Sequence, residues 1–567
     1  MLSVILNWIY VLFVTLTLGF GVAGLVRKVF RYEMKQFDSV GVAGLIVATV
    51  FAQAFSLFYK VGLVANVVLL SICFVILLLE WKHIVDTVQC WNQNASIARK
   101  ILIIVLFFVW AYFTSRGYMH YDSDLYHAQS IRWMEEYGIV PGLGNLHERF
   151  AYNSSFFALS ALFSMKFLLG TSMHAMNGFF AFLLSITCLP IGKSFKRKKF
   201  AMSDYARVGA IYYLTIITNE VVAPVSDIAV MLIIFFIVIK WLDALACEKK
   251  SDNVAPFALL CVVGVYALTL KLTAGLILLL LIKPAYELIK EKRVKEILIY
   301  LCMGLLIAIP WFVRTVVISG WLLYPFTAID LFHFDWEMDP YFINIDAMQI
   351  KTWGRALYAI GLIDTPITEW FPNWYGTTLS GMEKILILGA IAALFVVFVL
   401  GICWIVKAFQ KKTNYAFTNY LLVMLALAAS YGFWQTSAPL MRYGYAYVLL
   451  LSLVVFGYLL SRFEIIAADK RLLGLCPKIV YVAILVYGIY KLFAVGNYAW
   501  EARTGDYYVW QLGYGTYDVE SYEVNGETFY YGTYGDRTGY DYFPSAPTKA
   551  DITFRGEDMK DGFRRNK

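Results

Sequence analysis

Charged side chains are scarce in this chain: they make up 16% of its 567 residues, against about a quarter in a soluble domain. With 60% hydrophobic residues and a mean hydropathy of +0.64, there is too little charge to cover a water-facing surface. What charge there is gathers between long apolar runs, which is a membrane pattern. A nucleic-acid groove, which the net charge of +8 could suggest, would need the basic residues together on one folded face, and they sit instead in short separate clusters. The apolar stretch 3–25 lacks a basic leader and a small-residue cleavage site, so it reads as a retained first helix rather than a signal peptide. No lipidation motif, solenoid period or low-complexity tract stands out. The cysteines (Cys73, Cys90, Cys188, Cys247, Cys261, Cys302, Cys403 and Cys476) all fall in membrane runs or inner loops on the topology below. Disulfides are therefore not expected, and the Cys/His spacing of a zinc or redox site is missing.

Spanning hydrocarbon takes about 20 apolar residues. The candidate runs are 3–25, 38–58, 61–80, 101–115, 173–192, 204–219, 227–246, 255–269, 272–289, 297–313, 385–406, 415–432, 443–461 and 477–495. This predicts an all-α polytopic membrane protein with about fourteen transmembrane helices. Lys/Arg clusters follow the first run (Arg27 to Lys35), then recur at Lys82 to Lys100, Lys193 to Lys199, Lys249 and Lys250, Lys283 to Lys295, Lys407 to Lys412, and Arg462 to Arg471. All of them fall on one side, which the positive-inside rule makes the cytoplasm. Both termini then lie outside. The chain divides into membrane helices 1–115, a first external loop 116–172, membrane helices 173–313, a long external aromatic loop 314–384, membrane helices 385–495 and an external tail 496–567. The apolar stretch 154–169 cannot cross without moving every later cluster to the wrong side, so it reads as a helix on or dipping into the outer interface. In the tail, Asn525-Gly526 between two β-rich runs signals a hairpin within a small β-rich cap.

The first loop carries the candidate chemistry. It reads Tyr121-Asp122-Ser123-Asp124-Leu125-Tyr126-His127, with Arg132 following. On an α-helix, Asp124, His127 and Ile131 share a face, and Asp122 would be the cap. The bland reading of the two acids is an N-cap and a solvated neighbour. Asp-Ser-Asp also spells the DxD of soluble sugar transferases, but no mononucleotide fold surrounds it. Glu220 and Asp227 stand at the outward ends of two helices, as dipole-favoured caps or as the lining of a polar cavity. Lys271, Arg314 and Arg442 are isolated cations reaching the same face. Snorkelling would explain each alone, whereas together they could neutralise a phosphate or pyrophosphate. Trp321, Trp336, Trp353, Trp370 and Trp374 form either an anchoring belt or a platform for a sugar ring.

Asp124-Leu-Tyr126-His127 ahead of Arg132 resembles the acidic motif in the first external loop of GT-C membrane glycosyltransferases. The wider set is similar to bacterial polysaccharide-cluster membrane proteins of that superfamily: Gly138-Ile-Val-Pro141-Gly142, Pro310-Trp311 through Arg314, Tyr324-Pro325, and Ala438-Pro439 before Arg442-Tyr443. The resemblance implies a GT-C-like fold in a bacterial plasma membrane with an active site facing outside. It implies transfer of a sugar from a polyprenyl-phosphate donor to a glycan or lipid-linked acceptor, with Asp124 as catalytic base and Asp122 next. His127, Arg132, Glu220, Asp227, Lys271, Arg314, Tyr324, Arg442 and Tyr443 would then contact substrate. No metal-ligand set is assigned, and Mg²⁺ or Mn²⁺ is left open. The rival readings are a flippase for lipid-linked sugars, an O-antigen-type polymerase or ligase, and a non-catalytic assembly protein.

Overall fold

A computed structural model describes residues 1–247, 253–466, 475–501 and 508–566. Lys249, Lys250, Lys470 and Arg471 of the basic clusters, and the side chains of Lys196 and Cys476, lie outside the described residues. Each of the apolar runs is helical, because a backbone in lipid must satisfy its hydrogen bonds within its own segment. Among the described residues, 10 helices are long and apolar enough to cross a membrane, and four apolar helices are shorter. The chain is thus an all-α polytopic membrane protein with a small C-terminal sheet.

Burial sorts the helices into inner and outer. Ser226–Cys247 has a mean hydropathy of 2.5 and is 78% buried, so protein surrounds it; Gly381–Phe409, at 3.1 and 22% buried, shows most of its surface to lipid. The inner helix packs against Met176–Cys188, Met202–Ile216, Ala255–Leu270 and Tyr445–Ile466. Leu2–Phe30 and Phe37–Ser56 meet through glycines. A Cβ on Gly44 would lie 1.7 Å from the Thr15 carbonyl oxygen, the small-residue contact by which membrane helices approach closely. At the end opposite the site described below, Arg27 and Lys28 pair with Glu80, and Lys240 with Asp38.

Two readings need correction. The 154–169 stretch is not one interfacial helix: Ser155–Leu162 is buried along its whole length, the chain breaks at Met165, which has a φ of 54°, and only the short turn Lys166–Leu169 beyond it is exposed. At eight residues the helix is far too short to cross. It is held by Ser154 Oγ, which donates to the Leu270 carbonyl, and by the Ser155–Thr269 hydroxyl pair. The run 272–289 is long and apolar enough to cross, as expected, but it is not α-helical throughout. Lys271 is extended (φ −159°), Leu272–Leu281 is a 3-10 helix, and only Ile282–Lys290 is α-helical.

The tail forms β1 (Val519–Val524), β2 (Glu527–Gly532), β3 (Ser545–Ala546), β4 (Ile552–Phe554) and β5 (Phe563–Arg565). β1 and β2 are antiparallel, with Val524 opposite Glu527. Asn525 and Gly526 sit at φ 52° and 84° in the turn, the two positive values a type I′ hairpin requires. β3 pairs parallel to β2, and β4 pairs with β5 as a separate ladder. Phe529, Phe554 and Phe563 close a core shared with Trp133, Val140 and Leu143 of the first loop.

Candidate functional site

After the helix Ile97–Ser115, the Ser123 amide donates to the His120 carbonyl (2.9 Å), closing a turn. A π-helical segment, Ser123–His127, then leads into Ala128–Glu136. The turn sends Asp122 and Asp124 to different partners. Asp122 makes no side-chain cap of the following helix; its Oδ2 accepts from Arg442 Nη2 at 2.6 Å, and its own amide donates to His120 Nδ1. Asp124 is buried with both oxygens occupied, by the Gly515 amide (3.0 Å) and the Tyr517 hydroxyl (2.8 Å). Its carbonyl accepts from the Thr538 and Gly539 amides. The acid expected to act as base is therefore an anchor for the tail, and the acid facing the cations is its neighbour Asp122.

From Asp122 an alternating line of charge runs both ways. Lys271 pairs with Asp227 Oδ1, and Asp227 Oδ2 lies 3.7 Å from Arg442 Nε. Past Arg442 and Asp122, Arg149 Nη1 lies 3.8 Å from Asp122 Oδ1, and Arg149 Nε 3.7 Å from Asp346. Asp346 Oδ2 accepts from the Tyr152 hydroxyl at 2.8 Å. Three cations and three carboxylates thus meet from the first loop, the start of Ser226–Cys247, the break before the 3-10 helix, the Pro340–Gly354 helix and the loop before Tyr445–Ile466. The break at Lys271 frees its side chain to reach Asp227, with Nζ 3.2 Å above the centre of the Tyr443 ring. Arg442 is fixed by its own surroundings: its Nη2 also donates to the Tyr443 hydroxyl. Trp374 Nε1 donates to the Pro439 carbonyl at 3.0 Å, and a Cβ on Gly444 would fall 2.2 Å from the Trp434 ring.

The line is partly open, with Asp122 and Arg442 side chains 15% and 26% exposed. Burial alone would push the Asp122 carboxyl up, but Arg442, His127, His120 and Arg149 outweigh it and hold the carboxyl at about 2. Burial, helped by Arg442, lowers the His120 imidazole, and burial holds His127 at about 3. Burial raises the Asp124 carboxyl despite the Tyr517, Gly515 and Arg537 contacts, and it raises Glu135 likewise.

The other expected contact residues divide. Asp227, Lys271, Arg442 and Tyr443 stand in the cluster. Buried His127 lies within electrostatic reach of Asp122, and its Nδ1 has no hydrogen-bond partner. Glu220 is exposed at the edge, where it feels the charge of Arg442. Arg132 serves the tail, donating to the Tyr540 and Asp541 carbonyls and stacking on Phe543. Tyr324 is buried, donating to the Glu148 carbonyl and packing edge-on to Tyr152. Arg314 is enclosed by Asn153, Ser56 and Gly138 and does not join the cluster. His120, Arg149 and Asp346 escaped the sequence reading. Arg149 gave the same signal as Arg442, an isolated cation on a cation-poor face, and Asp346 is a lone acid within a short helix.

The tryptophans form neither a simple belt nor an open platform. Trp321, Trp370 and Trp374 are buried, Arg555 covers Trp336, and Trp353 is exposed. Among the described residues, one group of three ligand-type side chains comes within 4.8 Å, namely Asp330, His333 and Glu337 on the long loop, of which Asp330 and His333 are exposed. The cluster carboxylates are instead taken by cations.

No curated protein and no solved structure matches the chain. A family model does, over residues 1–449, which include every member of the charged line from Asp122 to Arg442 and stop short of the tail that holds Asp124. The chain belongs to that family, described as a domain of unknown function (DUF8201).

Proposed function

We propose that the chain is a GT-C-like membrane glycosyltransferase that moves a sugar from a polyprenyl-phosphate donor to a glycan or lipid-linked acceptor. The helical runs are taken as about fourteen crossings, and the one-sided basic clusters set the charged line on the non-cytoplasmic face of a bacterial plasma membrane. There an activated sugar is best supplied on a lipid, its tail between helices and its phosphate at the bundle's end. The observation that carries the reading is the convergence of Asp122, Arg442, Arg149, Asp227 and Lys271 from separate segments at one partly open end of the bundle.

Asp122 is the base and Arg442 the principal phosphate contact. A carboxyl held at about 2 is a poor base, since the best catalytic pKa lies near the working pH. An incoming donor phosphate competes for Arg442 and Arg149, so the carboxyl becomes more basic as the donor binds. When Asp122 takes the acceptor hydroxyl proton, the acceptor oxygen bonds to the anomeric carbon and the bond to the phosphate oxygen breaks. Negative charge moves from Asp122 to the departing phosphate while the cations stay in place, so the site keeps its net charge. Cationic stabilisation of a leaving group is often the largest catalytic term, and direct displacement inverts the anomeric centre.

The test is reconstitution in vesicles with radiolabelled polyprenyl-phosphate sugars and lipid acceptors. Label entering a new glycosidic bond in wild type, and lost in Asp122→Asn, is expected. Movement of labelled lipid across the bilayer with no new bond would favour a flippase, and product ladders a polymerase.

A further inference from the structure

In the long outer loop, away from the charged line, a turn brings two carboxylates and an imidazole together. His333 Nδ1 lies 3.9 Å from Asp330 Oδ1 and 4.0 Å from Glu337 Oε2. One ligand atom from each of the three residues lies within 4.8 Å of the other two. A point between three atoms so spaced is about 2.8 Å or less from each, and small rotations of the exposed Asp330 and His333 side chains shorten that to the roughly 2.0–2.2 Å of a zinc–nitrogen or zinc–carboxylate bond.

Glu337 is the fixed member. Its amide donates to the Phe334 carbonyl at 3.2 Å, and the next amide, that of Met338, donates to the Ser319 carbonyl at 3.0 Å. Gly320, at φ 86°, lies so close that a Cβ there would be 2.7 Å from Glu337 Cα. The Glu337 side chain is 17% exposed. The other limb is stiffened by a column of alternate rings: Phe332 stacks on Phe334 with 5.5 Å between centres, and Phe334 on Trp336 with 4.2 Å.

The negative charge here is unmet. Among the described residues no Lys or Arg comes within ion-pair distance of Asp330 or Glu337, whereas Asp335, in the same turn, is taken by Arg555. Burial, and after it the Asp330 carboxylate, raises the Glu337 carboxyl although His333 opposes them. A divalent cation would neutralise both acids at once. The donor set narrows its class: Ca²⁺ takes about six to eight oxygens and Mg²⁺ keeps most of its waters, whereas an imidazole suits zinc and its transition-metal neighbours.

We propose that Asp330, His333 and Glu337 hold a divalent cation of the zinc class, with water completing its coordination, and that the ion pins the 330–333 limb to the outer end of the Val294–Ser319 helix. The site shares no residue with the charged line and is independent of the transferase reading. Its effect reaches the tail, because Arg555 lies over Trp336 and pairs with Asp335.

The experiment is calorimetric titration of zinc chloride into chelator-stripped, full-length protein in detergent, carrying no histidine tag, at neutral pH. Wild type should bind one Zn²⁺ that a large excess of Ca²⁺ or Mg²⁺ does not displace. His333 is 85% exposed, so His333→Ala should fold normally and lose that binding. Glu337→Gln should weaken it at least about ten-fold. Zinc should also shield the 330–337 segment from limited proteolysis in wild type and not in His333→Ala. No zinc uptake by wild type, variants that titrate like wild type, or calcium bound more tightly than zinc would each overturn the assignment.

Discussion

Asn substitutions at Asp122 and Asp124 should fail in opposite ways. At Asp122 the change removes a charge-assisted hydrogen bond to Arg442, worth about 1.5–3 kcal/mol. The shift of the carboxyl to about 2 gives a similar size, about 2 kcal/mol. Some of that is recovered, because Arg442 keeps Asp227 at 3.7 Å and the Tyr443 hydroxyl. The folded protein should survive with a modestly lower midpoint, while sugar transfer falls by about 10²–10⁴, the usual contribution of a general base. At Asp124 the substitution leaves the charged line whole. It removes the acceptor for one of two tail contacts, Gly515 or Tyr517, so the tail should become sensitive to limited proteolysis while transfer per folded molecule stays within a few-fold of wild type. The assay pairs proteolysis with transfer on the same preparations. If Asp124→Asn abolished transfer with its tail still protected, and Asp122→Asn were active, the assignment of the base would be wrong.

Three further outcomes follow from the same geometry. Arg442→Lys keeps the charge but cannot reach Asp122, Tyr443 and Asp227 together, so transfer should drop at least about ten-fold with little change in expression; unchanged transfer would remove Arg442 from the phosphate site. Gly444→Ala forces a Cβ into the Trp434 ring and should cost about 1–3 kcal/mol, seen as a lowered unfolding midpoint that Gly389→Ala, with only ordinary contacts at 3.4 Å or beyond, does not share. Asp124 and Glu135 are carboxyls raised by burial under the tail, so the docked state holds protons that the undocked state releases. Docking should weaken as pH climbs from their ordinary range through the raised values, and the protection factors of amides in residues 515–545, the intrinsic exchange rate at each pH divided by the observed rate, should be higher at pH 5 than at pH 7.5. Constant or reversed protection would rule out those two acids as the cause.

The helical bundle was legible because its signal is local and one-dimensional. Twenty apolar residues between polar ends must be helical in lipid whatever they touch, so the runs could be placed without knowing their neighbours. The hairpin at Asn525-Gly526 was legible for the same reason, since two positive φ angles are a property of the dipeptide. The first half of the 154–169 stretch was misplaced because charge counting could say only that it does not cross. Whether a non-crossing apolar helix lies on lipid or inside protein depends on what packs around it, here the 37–56 and 255–270 helices. The 3-10 turns of 272–281 carried no signal, because ten consecutive apolar residues look alike in either helix.

The charged line was legible in part of its membership, four of its six charges, and not in its pairing. Isolated charges on a charge-poor face are costly unless used, which is why Asp122, Asp227, Lys271 and Arg442 were found without a fold. Which acid meets which cation depends on contacts such as Asp122–Arg442, 320 residues apart, and spacing along the chain cannot give that. The separation of Asp124 from the charged line has a narrower cause. Reading Asp124, His127 and Ile131 as one face assumed i→i+4 turns, but Ser123–His127 is a π-helix. An i→i+5 turn spreads each rotation over an additional residue, so residues three apart no longer stack, and Asp124 can reach the tail while His127 stays beside Asp122. That freedom is the physical reason two acids one residue apart can serve separate ends: Asp124 is bound by donors from a segment beyond residue 449, whereas Asp122 is paired with charges all lying before it. The acid with a partly exposed carboxylate and competing cations can exchange partners when a substrate arrives, and the one sealed by an amide and a phenol cannot do so without undocking the tail.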